Sequence, residues 1–177
     1  FVCCGFNSIG IVSAGGAGKV TAEWMINGEV NEDVFSLDIT RFEKFHSETN
    51  FIIDRAAESL GNQYAMHWPY KQQKTSRNIK TFPYHDLLKK EGACFGQVAG
   101  FESPLWYAID GEKPEFKYSF GYQNWYKSAQ NETVNTRKNV GFFELTPFAK
   151  FEIEGEAAYS SLQYLCSNDI KNNDGAI

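Results

Sequence analysis

The chain has 177 residues, a formal net charge of −5 and 16% aromatic residues, so it is long enough to bury one sizeable core or parts of two domains. The acidic balance, with a pI near 5.3, disfavours a nucleic-acid-binding protein, which needs a basic face. No apolar run approaches the ~18 consecutive residues of a membrane span.

The beginning of the chain predicts a strand, a glycine-rich turn and a helix. Residues 1–4 form a short apolar run before Gly5, which is typical of a buried strand. After the turn, apolar residues at helical spacing predict an amphipathic helix that ends at Gly28. Alternating apolar and polar residues at 35–39 predict a short strand. We expect the glycine-rich stretch, residues 5–18, to present backbone N–H groups to an anionic or electron-rich ligand atom.

This glycine-rich stretch begins almost at residue 1 of a chain that does not start with Met. We therefore expect it to close a larger ligand-binding domain whose front lies upstream. On this expectation the chain expressed alone neither retains a cofactor nor acts as an enzyme.

The middle of the chain predicts two helices joined by a loop. An apolar stripe predicts a helix over residues 51–64, and polar residues 71–80 predict a surface loop. Residues 81–92 predict a compact helix with Leu87 and Leu88 facing inward.

The last third is rich in glycine and aromatic residues. Trp106 and Trp125 are expected to anchor this region. Asn131 is a candidate cap for a helix over residues 132–140. The apolar residues between 148 and 153 predict a strand, and apolar spacing after Gly155 predicts a final helix.

The cysteines and histidines carry little chemical signal. No C-x-x-C pair occurs, so zinc and redox motifs are not supported. Adjacent Cys3 and Cys4 are interpreted as small buried hydrophobes, which favours a reduced, intracellular compartment. Each histidine is a candidate base near neutral pH, but His67 is interpreted as structural, and His46 and His85 as surface residues.

Two nucleotide-binding motifs fail at the glycine-rich stretch. A Walker loop requires glycine at the position of Ser13 and Ser or Thr at the position of Val20. The dinucleotide pattern G-x-G-x-x-G requires glycine at Thr21. The residues alone leave ligand contact and close packing of a helix against a strand as equal alternatives.

Several short motifs occur in a fixed order along nearly the whole chain: Gly5-Phe6-Asn7-Ser8-Ile9-Gly10-Ile11, Ala14-Gly15-Gly16-Ala17-Gly18-Lys19, Tyr64-Ala65-Met66-His67-Trp68-Pro69, Gly100-Phe101-Glu102, Asn124-Trp125-Tyr126 and Phe148-Ala149-Lys150-Phe151-Glu152-Ile153. This ordered set resembles the FAD-dependent dimethylglycine/sarcosine dehydrogenase family. The family commonly has Arg at the position of Ser103.

The resemblance implies an α+β chain in three parts. Residues 1–42 would be the C-terminal edge of an FAD-binding α/β domain, and residues 43–100 a small central α+β module. Residues 101–177 would begin an aminomethyltransferase-like α+β domain that binds folate.

The resemblance also implies a function. Family members oxidise an N-methyl group of a glycine derivative, such as dimethylglycine or sarcosine, and pass a hydride to FAD. Tetrahydrofolate then captures the one-carbon unit. The implied partners are a small N-methylated amine and an electron-transfer partner, with no nucleic acid and no membrane span. A non-catalytic paralogue resembling the pyruvate dehydrogenase phosphatase regulatory subunit is the alternative, and an FAD oxidoreductase acting on another amine is a third.

The resemblance assigns the flavin contacts of this chain to Asn7, Ser8, Ile9, Gly10 and Ile11. Gly10 permits close backbone approach, and Asn7 and Ser8 add side-chain donors. Gly15 and Gly16 are interpreted as packing residues and Lys19 as solvated. No catalytic residue and no metal ligand is assigned, because the family's flavin-linking histidine and substrate-binding groups belong to the upstream domain. Since no leader is visible, we expect a cytoplasmic location, with the mitochondrial matrix as the alternative.

Overall fold

The computed structural model of the protein describes residues 1–68 and 71–171. Within these ranges the chain combines five α-helices with one two-stranded antiparallel sheet, which agrees with the predicted α+β class at that coarse level. The chain divides into two compact units, residues 1–64 and the residues from Ala65 onward. Pro69, which ends one of the motifs above, and the last six residues of the predicted third part lie outside the described residues.

The first unit is helical. Its elements in chain order are helix α1 (Gly10–Asn27), three 3₁₀ turns (Phe35–Leu37, Ile39–Arg41 and Lys44–Ser47) and helix α2 (Thr49–Gly61). Helix α1 ends as predicted, because Gly28 adopts a left-handed backbone with φ of 79° and its N–H donates to the Trp24 carbonyl at 2.9 Å. Helix α2 confirms the helix predicted over residues 51–64.

The two strands predicted in this unit are wrong. Residues 1–4 are exposed and have no partner strand within the described ranges, and Cys3 and Cys4 are exposed rather than buried. The second segment forms 3₁₀ turns, where the Asp38 carboxylate accepts the N–H of Thr40 at 2.7 Å. Such local bonds from side chain to backbone compete with the ladder of a strand.

The second unit is built on a β-hairpin. Strand β1 (Ala93–Val98) pairs antiparallel with strand β2 (Phe101–Tyr107), and Leu105 is an extra residue that forms a bulge. The connecting residues Ala99 and Gly100 both have positive φ, of 48° and 80°. This is the left-handed pair that a tight hairpin turn requires.

Three helices accompany the hairpin: α3 (His85–Lys90), α4 (Tyr126–Lys138) and α5 (Ala158–Leu165). Helix α3 contacts both strands and α4 contacts β2. The Trp106 side chain of β2 is buried, with 1% exposed. Phe116 packs edge-on against Trp106, and Trp125 packs edge-on against Phe116. The predicted anchoring role of Trp106 and Trp125 is thus confirmed.

Three predictions for the second unit need correction. Helix α3 is shorter than residues 81–92, and Leu87 is 59% exposed, because the hairpin residue Phe95 is met by His85 of the helix and by Phe82, which precedes the helix. Helix α4 starts before Asn131, since it packs on β2 and its Glu132 carboxylate accepts the Tyr107 N–H at 2.9 Å. Residues 148–153 form no strand, because no described strand lies beside them.

None of the helices in the described ranges combines the length and the apolar character that crossing a membrane requires.

The hairpin turn yields a test of stability. We predict that Gly100→Ala lowers the free energy of unfolding by about 1 kcal/mol, because a Cβ is disfavoured in the left-handed conformation. Ala99→Gly, at the other central position, should leave stability unchanged or raise it, since glycine relieves the same strain. Thermal unfolding of the chain measures both, and equal effects of the two substitutions would contradict the prediction.

Candidate functional site

The five residues predicted to contact a flavin lie together where α1 begins. Asn7, Ser8 and Ile9 form a turn, and Gly10 and Ile11 are the first residues of the helix. Ser8 adopts the left-handed conformation with φ of 62°, which is uncommon for a residue with a side chain.

Two hydrogen bonds hold this turn. The Ile9 N–H donates to the Phe6 carbonyl at 2.9 Å, which closes the turn on itself. The Gln63 side chain donates to the Asn7 carbonyl at 3.0 Å from beyond the end of α2. The turn is therefore tied to the rest of the first unit by its carbonyl group.

The start of α1 has no side-chain cap. Ile9 occupies the N-cap position and cannot accept a hydrogen bond through its side chain, and the first turn contains no acidic residue. The Ile11 side chain is 99% exposed. Backbone N–H groups at such a start are suited to an electron-rich ligand atom, and the helix dipole favours negative charge there.

A cavity of about 570 Å³ runs along α1 within the first unit. Residues 2–6 line one side of it, and the helix contributes Ile9, Ser13, Gly16, Ala17 and Trp24. Among the five predicted flavin contacts, Ile9 alone lines this cavity. The start of the helix and the cavity are therefore neighbouring but distinct features.

The packing role predicted for Gly15 and Gly16 has no partner among the residues that the structure describes. Within the described chain, a Cβ added at Gly15, Gly16 or Gly18 would meet no atom within 4 Å. Lys19 is 61% exposed in its side chain and pairs with Glu32 at 2.7 Å on the surface.

The histidines are placed differently from the prediction. His67 is exposed, whereas His85 is 8% exposed and its ring lies 4.2 Å from that of Phe95. His46 stacks on Phe45 at 3.9 Å, and its Nδ1 accepts the Glu43 N–H. These two rings are packing elements of their own units.

The buried cysteine is chemically inert. Burial raises the pKa of the Cys94 thiol to about 11. The thiol is therefore protonated at neutral pH and is a poor nucleophile. Within the residues that the structure describes, no group of three or more His, Cys, Asp or Glu side chains is arranged to hold a metal ion.

Sequence reasoning missed a buried ion pair in the second unit. Glu102 on β2 is 1% exposed, and Arg77 Nε donates to its Oε1 at 2.8 Å and its Oε2 at 3.1 Å, while Nη2 also donates to Oε2. The Asn78 N–H donates to Oε1 at 2.8 Å. Arg77 also donates to the Gln73 carbonyl at 3.1 Å and to the Phe95 carbonyl at 2.9 Å.

These contacts keep Glu102 ionised. Burial by itself raises the pKa of the Glu102 carboxyl, but the hydrogen bonds from Arg77 and Asn78 and the Arg77 charge outweigh it, so the pKa is lowered from its ordinary value of 4.5. A fully bonded pair of this kind holds its two segments in one geometry. In the sequence Glu102 stands in the motif Gly100-Phe101-Glu102, but nothing local links it to Arg77, 25 residues away.

Comparison with known proteins now identifies the chain. Residues 27–81 match the FAD dependent oxidoreductase central domain, and residues 84–177 match the GCVT N-terminal domain. The chain belongs to the FAD-dependent dimethylglycine/sarcosine dehydrogenase family.

Three relatives show the range of this family. The chain is 42% identical to the 4-methylaminobutanoate oxidase (formaldehyde-forming) of Paenarthrobacter nicotinovorans, over 96% of this chain and 21% of that protein. It is 34% identical to the mitochondrial pyruvate dehydrogenase phosphatase regulatory subunit of Mus musculus, over 96% and 20%. It is 30% identical to the mitochondrial dimethylglycine dehydrogenase of Rattus norvegicus, over 96% and 20%. The chain thus spans about a fifth of the length of these relatives.

The two family matches divide the ion pair between them. Arg77 lies in the part that matches the FAD oxidoreductase central domain, whereas Glu102 lies in the part that matches the GCVT domain. Both residues belong to the same compact unit. The boundary between the two family matches therefore runs through the interior of a structural unit.

The ion pair yields a test of stability and its pH dependence. We predict that Arg77→Met lowers the free energy of unfolding by about 3–5 kcal/mol, because it leaves a buried carboxylate without a counter-charge. Glu102→Gln, which keeps the shape of the side chain, should cost less at neutral pH. Urea unfolding measures both substitutions.

The sign of the pH effect follows from the lowered pKa of Glu102 in the folded protein. The stabilisation from the ionised carboxylate is complete above the ordinary value of 4.5 and is lost as pH falls through the lower folded value. The stability difference between wild type and Glu102→Gln should therefore shrink in acid. A difference that grows as pH falls would contradict this assignment.

Proposed function

We propose that this chain is part of a flavin-dependent enzyme that oxidatively removes an N-methyl group from a small amine. The observation that carries the proposal is the order of the two family matches, with an FAD oxidoreductase central domain directly followed by a GCVT domain. Both relatives with activities in their names, the oxidase and the dehydrogenase, act on N-methylated amino acids. Residues 1–42 would then form the closing edge of the FAD-binding domain, and the central-domain match begins within this edge, at residue 27.

The substrate class that we propose is an N-methylated amino acid. Dimethylglycine and sarcosine are the candidates implied by the family, and the oxidase at 42% identity adds 4-methylaminobutanoate. All three combine a methylated amine with a carboxylate. The expected location is the cytoplasm, with the mitochondrial matrix as the alternative that two of the three relatives support.

The proposed cofactor is FAD, and the residues present fit one edge of it. The turn at Asn7–Ile9 and the first residues of α1 combine an uncapped helix start with a left-handed Ser8. Bound FAD would supply acceptance of the hydride. The backbone N–H groups of Gly10 and Ile11 would stabilise the negative charge that accompanies that step, because donors fixed in advance need no reorganisation.

The proposed one-carbon acceptor is tetrahydrofolate. The support is the GCVT match, which covers residues 84–177. Water is the competing acceptor, since the oxidase among the relatives is named as formaldehyde-forming. An electron-transfer partner would reoxidise the flavin of a dehydrogenase.

The alternative function is a non-catalytic one. The 34% identity to a phosphatase regulatory subunit supports a protein-interaction role for the same architecture. The two functions differ in whether an amine reduces the flavin.

Anaerobic reduction of the flavin tests the proposed activity. We predict that the complete gene product that carries this chain, mixed with dimethylglycine, sarcosine or 4-methylaminobutanoate, loses its flavin absorption band with at least one of them. The matching unmethylated amino acids serve as controls and should leave the band unchanged. A flavin that no N-methylated amine bleaches would sink the enzymatic proposal.

A substitution at Gly10 tests the proposed flavin contact. A Cβ at this position would lie 3.7 Å from the Phe6 Cβ, an ordinary contact that the fold tolerates. We predict that Gly10→Ala in the complete gene product slows flavin reduction roughly tenfold or more, because the added methyl group separates the N–H donors from the cofactor.

Gly18→Ala is the matched control for Gly10→Ala. It lies on the same helix with nothing within 4 Å of the added Cβ. Alanine favours the helix by about 1 kcal/mol over glycine, so stability should rise and the flavin should behave as in wild type. Equal rates of flavin reduction in Gly10→Ala and Gly18→Ala would contradict a flavin contact at Gly10.

A further inference from the structure

Residues 71–80, here called the strap, end the part of the chain that matches the FAD oxidoreductase central domain. They form an irregular segment within the second structural unit. The strap lies on the hairpin that begins the part matching the GCVT domain. Each end of the strap and its centre are bonded to that part.

Both ends of the strap are hydrogen-bonded to the part that matches the GCVT domain, one end through Gln72 and the other through the Lys80 carbonyl. The Gln97 N–H of β1 donates to Gln72 Oε1 at 2.9 Å, and the Gln72 N–H donates to the Tyr118 hydroxyl at 2.9 Å. At the other end, the Glu102 N–H donates to the Lys80 carbonyl at 2.8 Å. The Lys80 ammonium lies 4.1 Å from the centre of the Phe101 ring.

The centre of the strap is attached by the Arg77–Glu102 pair, in which the Glu102 carboxylate is buried and the Arg77 side chain is 24% exposed. Arg77 stands between two residues with left-handed backbone, Ser76 with φ of 47° and Asn78 with φ of 61°. Such conformations persist only where surrounding contacts impose them. The ion pair and the Asn78 N–H bond to Glu102 supply those contacts.

We propose that Arg77 and Glu102 are a positioning pair that couples amine oxidation to delivery of the one-carbon unit. The inference rests on the proposed function. In that reaction the N-methyl carbon would lose a hydride to FAD and become an iminium carbon. This carbon would form a bond to each of two folate N–H nitrogens as both bonds of its C=N link to the substrate nitrogen break. Of the two protons that leave the folate nitrogens, one would stay on the released amine and one would go to solvent.

Coupling requires a fixed geometry between two parts of the chain while the carbon is transferred. The first part matches the FAD oxidoreductase central domain and the second matches the GCVT domain. The strap belongs to the first part by family match and to the second by its contacts. A charged pair with several hydrogen bonds is more directional than an apolar contact. It therefore suits a joint whose task is orientation, and neither residue needs to touch substrate or cofactor.

The test uses the complete gene product with Glu102→Gln, Arg77→Lys and the control Glu115→Gln, which removes an exposed pair with Lys117 at 3.0 Å. Two quantities are measured with the amine that bleaches the flavin: the rate of anaerobic flavin reduction, and the ratio of the one-carbon unit bound to tetrahydrofolate to that released as free formaldehyde. Arg77→Lys keeps the charge but loses the fork that binds both carboxylate oxygens.

We expect flavin reduction near the wild-type rate in all variants. The ratio of folate-bound carbon to free formaldehyde should fall roughly tenfold in Glu102→Gln, because small misplacements of reacting groups carry large kinetic penalties. It should fall less in Arg77→Lys and stay unchanged in the control.

An unchanged ratio in folded variants overturns the inference. A flavin-reduction rate that falls as far as the ratio also overturns it, because the pair is then purely structural. Loss of fold and flavin in both Glu102→Gln and Arg77→Lys overturns it on the same ground. If the flavin of the wild-type protein is bleached but all of the one-carbon unit appears as formaldehyde, tetrahydrofolate is not the acceptor. This inference then fails as well. A wild-type protein that no amine bleaches instead removes the proposed activity, so the failures are distinguishable.

Discussion

The second unit depends on a carboxylate that is taken out of water. Glu102 is 1% exposed, and desolvating an ion costs several kcal/mol unless counter-charge and hydrogen bonds replace its water. Arg77 and the Asn78 N–H provide that replacement, and they can reach Glu102 only if residues 71–80 fold back onto the hairpin. The irregular segment 71–80 therefore follows a path that brings hydrogen-bond donors and a counter-charge to the buried Glu102 carboxylate.

In the first unit, the turn at Asn7–Ile9 and the start of α1 make few hydrogen bonds to other side chains of the unit. Its turn is fixed through the Phe6 and Asn7 carbonyls, while the start of α1 has neither a side-chain cap nor an acidic residue. Apolar side chains near this start, such as Ile11 and Val12, are exposed. A helix start of this kind is suited to contacts with a group that is not part of the helix.

Sequence patterns predicted helices better than strands, for a physical reason. Helices α1, α2 and α5 follow from local periodicity and from glycines such as Gly28 and Gly155, because a helix forms its hydrogen bonds within one segment. A strand needs a partner, so residues 1–4 and 35–39 satisfied the pattern without becoming strands. The hairpin went unrecognised because its turn is Ala99-Gly100 and its strands lack clean alternation. For the candidate site, the sequence placed Asn7 to Ile11 at one helix start, but their proposed ligand contacts stay a prediction.

The sequence by itself determined the family, because an ordered set of short motifs can be recognised without knowing which residues are in contact. It also determined where α1 ends, since the glycine stop at Gly28 acts locally, whereas the helix begins at Gly10, inside the stretch predicted as a turn. Only the tertiary structure decided which polar groups are buried. His85, interpreted from the sequence as a surface residue, is buried, and the buried Glu102 stands 25 residues from Arg77 in the sequence. Burial and charge pairing depend on which distant segments are in contact, and a local sequence pattern does not indicate those contacts.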